Sequence, residues 1–342
     1  MYIQNIMDLL IDTYGTFIGT TGERIALRFP KVSKKKKREY AARRLKKIVI
    51  LRPSSISMHA VKLALEHDID IVYLGSFGRP VGRIFASDPR GLATLRRAQL
   101  ETSQNELKAM TLAKQFVLGK CRNQSLFLKR LARQYKKDFS RPLEQVQVLL
   151  EAVPGVPATF KAREHLFGVE GSIAERYWNT IRALHRFPGR KPQGRDKFNS
   201  ALNYGYGILY NEIERACLYA GLDPYLGLYH SDRYGKPALV LDLVEEFRVA
   251  VVDSTIIPLF IDKKLVKQSD FERIGKGEYY LSAEGKSKVV EAVLTRLNHE
   301  IRHKGKKRTV RAVIEEQVRS LARHFLGKTK TYKPFDFSVL YQ

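Results

Sequence analysis

Residues 87–91, Ser87-Asp88-Pro89-Arg90-Gly91, divide the chain into two parts with different periodicities, and this break limits the possible folds more than any other feature. Ahead of it, short β-rich pieces lie at Ile18, 24–27 and 48–51. Turn signals at Tyr14-Gly15, 20–23 and Arg52-Pro53 separate them. One helix is predicted over 57–66, where Ala60, Val61, Ala64 and Leu65 repeat with helical spacing and Ser57 is suited to the N-cap. A buried strand follows at 69–74, then a turn leading into a strand at 81–85. Behind the break the spacing predicts helices over 92–118, 125–135, 142–152, 171–185, 198–219, 239–252, 253–264, 283–302 and 310–326. Gly221 is placed to close the helix over 198–219 in the left-handed conformation, and Pro258 interrupts the segment that contains it. Residues 186–197 form a loop rich in Pro, Gly and basic residues. A chain of 342 residues exceeds one minimal core. The expectation is an α+β protein: a β-rich domain over 1–86, a linker over 87–93 and a larger α-helical domain over 94–342.

Charge narrows the function. Sixty-one Lys and Arg stand against 35 Asp and Glu, a net +26. Such an excess repels itself in the compact state, and a polyanion relieves it; nucleic acid, whose phosphates release counterions on binding, fits best. Ten basic residues and a single acid, Glu39, fall between Lys31 and Lys47. This run reads either as a solvated hairpin face or as an arm that meets phosphates. No apolar run is long enough for a bilayer span, and the first ten residues lack the features of a signal peptide. Cys121 and Cys217 are isolated and read as reduced, buried thiols, which argues against a disulfide framework and for a cytoplasmic protein.

Two patterns suggest chemistry. In Leu-Val-Leu-Asp242-Leu-Val-Glu245-Glu246-Phe-Arg248, helical spacing puts Leu243, Val244, Phe247 and Val251 on one stripe and gathers Asp242, Glu245 and Glu246 on the other side. Clustered carboxylates repel one another unless a cation binds, and oxygens with one imidazole suit Mg²⁺ or Mn²⁺. His230, twelve residues upstream of Asp242 in a loop marked by Gly227 and Gly235, offers that imidazole. Glu170 stands where a helix is predicted to begin. Alone, each has a plainer reading: an acidic exposed face, a surface His, a first-turn Glu favoured by the helix dipole. The second pattern, His299-Glu300-Ile301-Arg302-His303, has the H-E-x-x-H spacing of zinc proteases if helical. The flank Lys304-Gly305-Lys306-Lys307-Arg308 repels a cation and ends the helix, so this segment reads better as a basic helix end facing DNA. Tyr177, Tyr204, Tyr206 and Tyr210 are at core spacing, with base stacking as the alternative.

Four ordered blocks change the weight of these parts: Glu170-Gly-Ser-Ile-Ala-Glu-Arg-Tyr-Trp, Asn199-Ser-Ala-Leu-Asn203-Tyr-Gly-Tyr-Gly-Ile-Leu-Tyr, Ala220-Gly-Leu-Asp-Pro-Tyr-Leu-Gly-Leu-Tyr-His230 and Leu-Asp242-Leu-Val-Glu-Glu-Phe-Arg248. Together with Asp12-Thr-Tyr-Gly-Thr-Phe-Ile-Gly and Gly75-Ser-Phe-Gly-Arg-Pro-Val-Gly-Arg, they resemble the CRISPR-associated spacer-acquisition endonuclease and integrase family, the first-numbered Cas proteins, over nearly the whole chain. The resemblance implies that Glu170, His230 and Glu245 ligate Mg²⁺ or Mn²⁺, that Asp242 supports the site and that Arg248 lies near DNA phosphate. Arg176, Arg233 and Lys236 join Arg248 as candidate DNA contacts. It further implies double-stranded DNA as substrate, both spacer fragment and CRISPR repeat. The implied assembly is a homodimer formed through the N-terminal domains, with a small ferredoxin-like CRISPR-associated partner. The 31–47 run departs from the family's shorter connection, so its role is not inherited. A non-catalytic DNA-binding scaffold and another divalent-metal nuclease acting on branched DNA are the rival readings.

Overall fold

The computed structural model describes residues 7–31, 36–75, 80–86, 92–184, 187, 189–230, 235–265 and 267–341. The N-terminal part is β-rich, as its alternation predicts. Strands β1 (Met7–Ile11), β2 (Phe17–Thr20), β3 (Arg24–Arg28), β4 (Arg38–Ala41), β5 (Leu45–Ile50), β6 (Ser55–Ile56), β7 (Asp70–Leu74) and β8 (Pro80–Ile84) make two four-stranded sheets, ordered β1-β5-β7-β8 and β4-β3-β2-β6. The first sheet is parallel except for β8. Its parallel β5–β7 connection needs a crossover, which α1 (Met58–Glu66) supplies. The Ser57 hydroxyl caps α1 by accepting from the Ala60 N–H at 3.2 Å. Ile18, Ile25, Ile48, Ala60, Ala64 and Ile71 fill the small core between the sheets and α1. Because side chains alternate along a strand, Val49 and Val72 point the other way, into the large helical core. Burial on both faces explains the near-continuous apolar runs of β5 and β7.

The helical part comprises α2 (Leu92–Gln104), α3 (Glu106–Tyr135), α4 (Ser140–Ala152), α5 (Arg163–Leu184), α6 (Lys197–Ala220), α7 (Ala238–Phe247), α8 (Ser254–Ile261), α9 (Ala283–Asn298) and α10 (Val310–Phe325). Gly221 ends α6 at φ 80°. Several boundaries differ from the spacing. The break expected between 118 and 125 falls instead at Asn105, whose side chain caps α3, and α3 runs through both segments unbroken. Helix α5 begins eight residues earlier than the expected 171. A π-helical turn, Arg248–Asp253, joins α7 to α8, which keeps Pro258 within it. Two hairpins, β9 (Phe271–Gly275) with β10 (Glu278–Leu281) and β11 (Glu300–His303) with β12 (Lys306–Thr309), stand beside and between the last helices. Thus His299-Glu-Ile-Arg-His303 is not helical. Lys304 at φ 49° and Gly305 at φ 75° form a two-residue turn matched to the strand twist. On extended backbone His299 and His303 are about 13 Å apart, too far to share an ion. Among the described residues, no helix is long and apolar enough to cross a membrane.

The first sheet meets α6 and α10 through buried charge. Lys47 of β5 ion-pairs with Glu212 of α6, and Arg311 of α10 bonds Glu212 at 3.1 Å and Asp8 of β1 at 2.8 Å. Beside them Arg215 bridges Asp70 of β7 and Glu315. The 31–47 run is therefore not uniformly solvated: Lys47 is a buried structural cation, while Lys36, Lys37 and Arg38 are exposed and residues 32–35 lie outside the described set. Burial opposes the charge of Glu212, but Lys47 and Arg311 outweigh it and hold its carboxyl far below the usual 4.5. A depressed carboxyl contributes stability that is complete above its unfolded value and is lost as pH falls below it. Glu212→Gln should therefore lower unfolding free energy at pH 7 by about 3–5 kcal/mol in urea titrations and flatten the loss of stability below pH 4.5. An unchanged midpoint at pH 7 would show that these charges do not hold the sheet on α6.

Candidate metal centre

Helix α5 buries one stripe, Leu166, Val169, Ile173, Tyr177 and Ile181, against the helical core. Glu170 lies on that stripe and is only 8% exposed. It sits in the helix interior, so the helix dipole does not account for it. Helix α7 is buried on every side. The acidic exposed face expected there does not exist: Asp242, Glu245 and Glu246 are all buried, and they do not form one cluster. Glu246 turns to the opposite side, where it accepts from Tyr332 Oη at 2.5 Å and the Phe335 N–H at 2.7 Å. Burial there raises its carboxyl to about 7, despite those bonds.

Glu245 faces Glu170, and the ammonium of Lys120, from α3, stands where they meet. It contacts a Glu170 oxygen and lies 2.8 Å from Glu245 Oε2. The other Glu170 oxygen accepts from Tyr229 Oη at 2.6 Å, while Glu245 Oε1 lies 2.8 Å from Arg248 Nε. Burial works against the charge of Glu245, but Arg248 and Lys120 outweigh it and hold the carboxyl at about 2. Arg248 is fixed in turn by Tyr210 Oη at 2.9 Å and by the face of Tyr206, 4.7 Å from its guanidinium carbon.

Asp242 organises the loop that carries His230. Its Oδ2 accepts from the N–H groups of Leu228 and Tyr229, at 2.7 and 3.1 Å, and its Oδ1 accepts from the His230 N–H at 2.9 Å. The same Oδ1 lies 2.7 Å from His230 Nδ1. An ionised carboxylate only accepts, so Nδ1 carries the proton, and in the neutral ring the Nε2 lone pair is left unprotonated. Burial disfavours the imidazolium, yet Asp242, with Glu245 and Glu170 beyond it, raises the imidazole above its usual value. Gly227 permits the tight loop: a Cβ there would lie 2.9 Å from the His230 carbonyl oxygen and 2.6 Å from Ala238 Cβ.

A cavity of about 570 Å³ opens from Lys120 and Arg248. Trp178, Tyr204, Tyr206 and Tyr210 offer ring surface to it, and Arg190 and Arg195 add charge. Tyr177 is fully buried and donates to Asp253 at 2.8 Å, so these tyrosines divide between core and cavity wall. Asp253, which also accepts from Tyr206, is raised to about 6 by burial. Arg176 bonds the Ser172 carbonyl of its own helix and, six residues past Glu170, projects about 240° around it, away from the carboxylates. Lys236 is exposed, and Arg233 lies outside the described residues.

The family model described as CRISPR associated protein Cas1 matches residues 9–295. CRISPR-associated endonuclease Cas1 1 of Archaeoglobus fulgidus is 31% identical over 350 residues, spanning 96% of this chain and 99% of that protein. The chain is a member of the Cas1 family. Its fold also matches a casposase bound to integration product, with a TM-score of 0.82 at 24% identity, covering 97% of this chain and 95% of the other. A Cas6-RT-Cas1–Cas2 complex matches at a TM-score of 0.72 and 21% identity, covering 98% of this chain and 36% of that one.

For this Cas1 chain, the spacing of residues did not disclose Lys120 or the bond from Tyr229. A signal for Lys120 was present: Lys120 and Gln124 interrupt the apolar stripe of α3 one turn apart, between Phe116 and Phe127. Asp242→Asn tests the loop assignment. It replaces one acceptor oxygen by a donor, so a buried N–H or the His230 ring loses its partner. Stability should fall by about 1–3 kcal/mol in urea unfolding, and wild-type stability in the variant would contradict the account.

Proposed function

We propose that this Cas1 chain is a divalent-metal-dependent DNA endonuclease and integrase that inserts spacer DNA into a CRISPR array. The observation that carries this reading is the convergence of two buried carboxylates, from separate helices, on one cation position beside an imidazole. Among the described residues no three His, Cys, Asp or Glu side chains form a ready-made ion cluster. The donor set nevertheless fits a hard cation, and the Lys120 ammonium stands in for it between Glu170 and Glu245. Glu170, Glu245 and His230 Nε2 would hold Mg²⁺ or Mn²⁺. When bound, such an ion would activate a water or a DNA 3′-hydroxyl and stabilise the leaving oxygen.

The protein's own groups do the rest. Asp242 keeps the Nε2 lone pair of His230 available by holding the proton on Nδ1. Arg248, locked between Tyr210 and Glu245, fixes positive charge on the cavity wall beside the carboxylates, where a phosphodiester would sit. The aromatic and basic walls suit an unpaired strand end, since rings stack on any base and guanidinium groups follow the backbone. The net +26 suits duplex DNA on the outer surface. In the same reading residues 1–86 form a dimerisation domain, 87–93 the linker and 94–342 the catalytic domain. The homodimer binds a small ferredoxin-like CRISPR-associated partner.

His230→Ala and Glu245→Ala should each reduce strand transfer into a supercoiled CRISPR plasmid at least about 100-fold while duplex binding in gel-shift titrations persists. EDTA should abolish the wild-type reaction. Strand transfer that survives EDTA or either substitution would refute the metal assignment, and DNA binding without any strand cleavage or transfer would leave a scaffold role.

A further inference from the structure

We infer that Lys120 is a resident counter-cation that holds Glu170 and Glu245 together in the metal-free protein and must leave before a divalent cation enters. This inference rests on the metal-dependent reading above. Its first support is charge balance. Glu170 and Glu245 contribute two negative charges, Lys120 and Arg248 two positive ones, and all four side chains are less than a fifth exposed. Asp242, buried against the His230 ring, adds a third negative charge, so the site carries one net negative charge with no metal present. Adding a divalent ion without losing a cation would leave one positive charge in excess where water screens it poorly, and departure of Lys120 returns the site to neutrality.

The second support is the difference between the two cations. Arg248 is tethered by Tyr210 and covered by the Tyr206 ring. Lys120 has a flexible four-carbon stem and borders the cavity, which Gln124 and Tyr210 also line. It can leave the carboxylates by rotating into that space, where its ammonium would meet a DNA phosphate. Metal entry then frees a cation for the phosphate, and a phosphate that draws Lys120 away raises metal affinity. By linkage the two effects are equal, so the lysine couples metal loading to substrate loading.

The test is Mn²⁺ binding to the full chain without DNA, followed by calorimetry or by the loss of the free-ion electron paramagnetic resonance signal. Lys120→Met removes the competing charge and keeps the apolar stem. Its dissociation constant for Mn²⁺ should fall at least about tenfold, and Glu170→Gln added to it should reverse the gain. If the wild type binds Mn²⁺ in a Glu170-dependent way and Lys120→Met binds no tighter, the inference is overturned and the metal reading stands. If neither protein binds Mn²⁺, both are overturned. A measurement on the wild type covers the case in which the variant does not fold. Acetylation of Lys120 by an amine-reactive reagent, quantified by mass spectrometry, should rise several-fold on adding Mg²⁺; unchanged or reduced labelling overturns the inference.

Discussion

Glu170 and Glu245 face each other inside the protein, on helices 75 residues apart in sequence, with a single ammonium between them. Two carboxylates removed from water repel strongly, and the ammonium they share offsets that repulsion. Much of the surrounding architecture serves that arrangement. Helix α3 brings Lys120, the π-helical turn after α7 brings Arg248, and Tyr229 closes the remaining Glu170 oxygen. A group that holds carboxylates ionised and convergent is also one from which a metal ion can take over.

The helix bearing Glu245 is in turn fixed from behind. Glu246 is held by Tyr332, Gln317 and the Phe335 N–H, and Asn123 bonds both the Glu246 carbonyl and the chain near Phe335. The last described segment is thus strapped across α3 and α7, the two helices that supply Lys120 and Glu245. Farther out, the buried pairs from Asp8, Lys47 and Asp70 to α6 and α10 set the β-rich part against the helical part. Removing one member of such a pair leaves a buried charge unmatched, so these contacts specify one relative placement more than they add net stability.

Local signals that act within one turn were legible in the sequence: Ser57 as a cap, Gly221 as a stop, and the alternation of the first 85 residues. The ordered blocks around Glu170, His230, Asp242 and Glu245 carried the family. What the sequence concealed was longer in range. Lys120 and Gln124 looked like a break in α3 because the carboxylate partners of Lys120 lie 50 or more residues away and Gln124 lines the cavity. Glu246 looked like a member of the acidic face because a helical wheel does not show that a distant tail covers its side. The β11–β12 hairpin was hidden by H-E-x-x-H spacing, although Lys304-Gly305, a turn pair flanked by alternating side chains, was its local signature. Asp242 changed most: beyond a nearby acid, it accepts three backbone N–H groups and fixes the His230 tautomer.

The central claim is that Glu170, His230 and Glu245 meet at one divalent cation. A crystal structure of the protein soaked in Mn²⁺, with data collected across the manganese absorption edge, addresses it directly. The account predicts one strong anomalous peak bounded by Glu170, Glu245 and His230 Nε2, with the Lys120 ammonium withdrawn toward the cavity. An anomalous peak elsewhere, or no peak with Lys120 still between the two carboxylates, would contradict it.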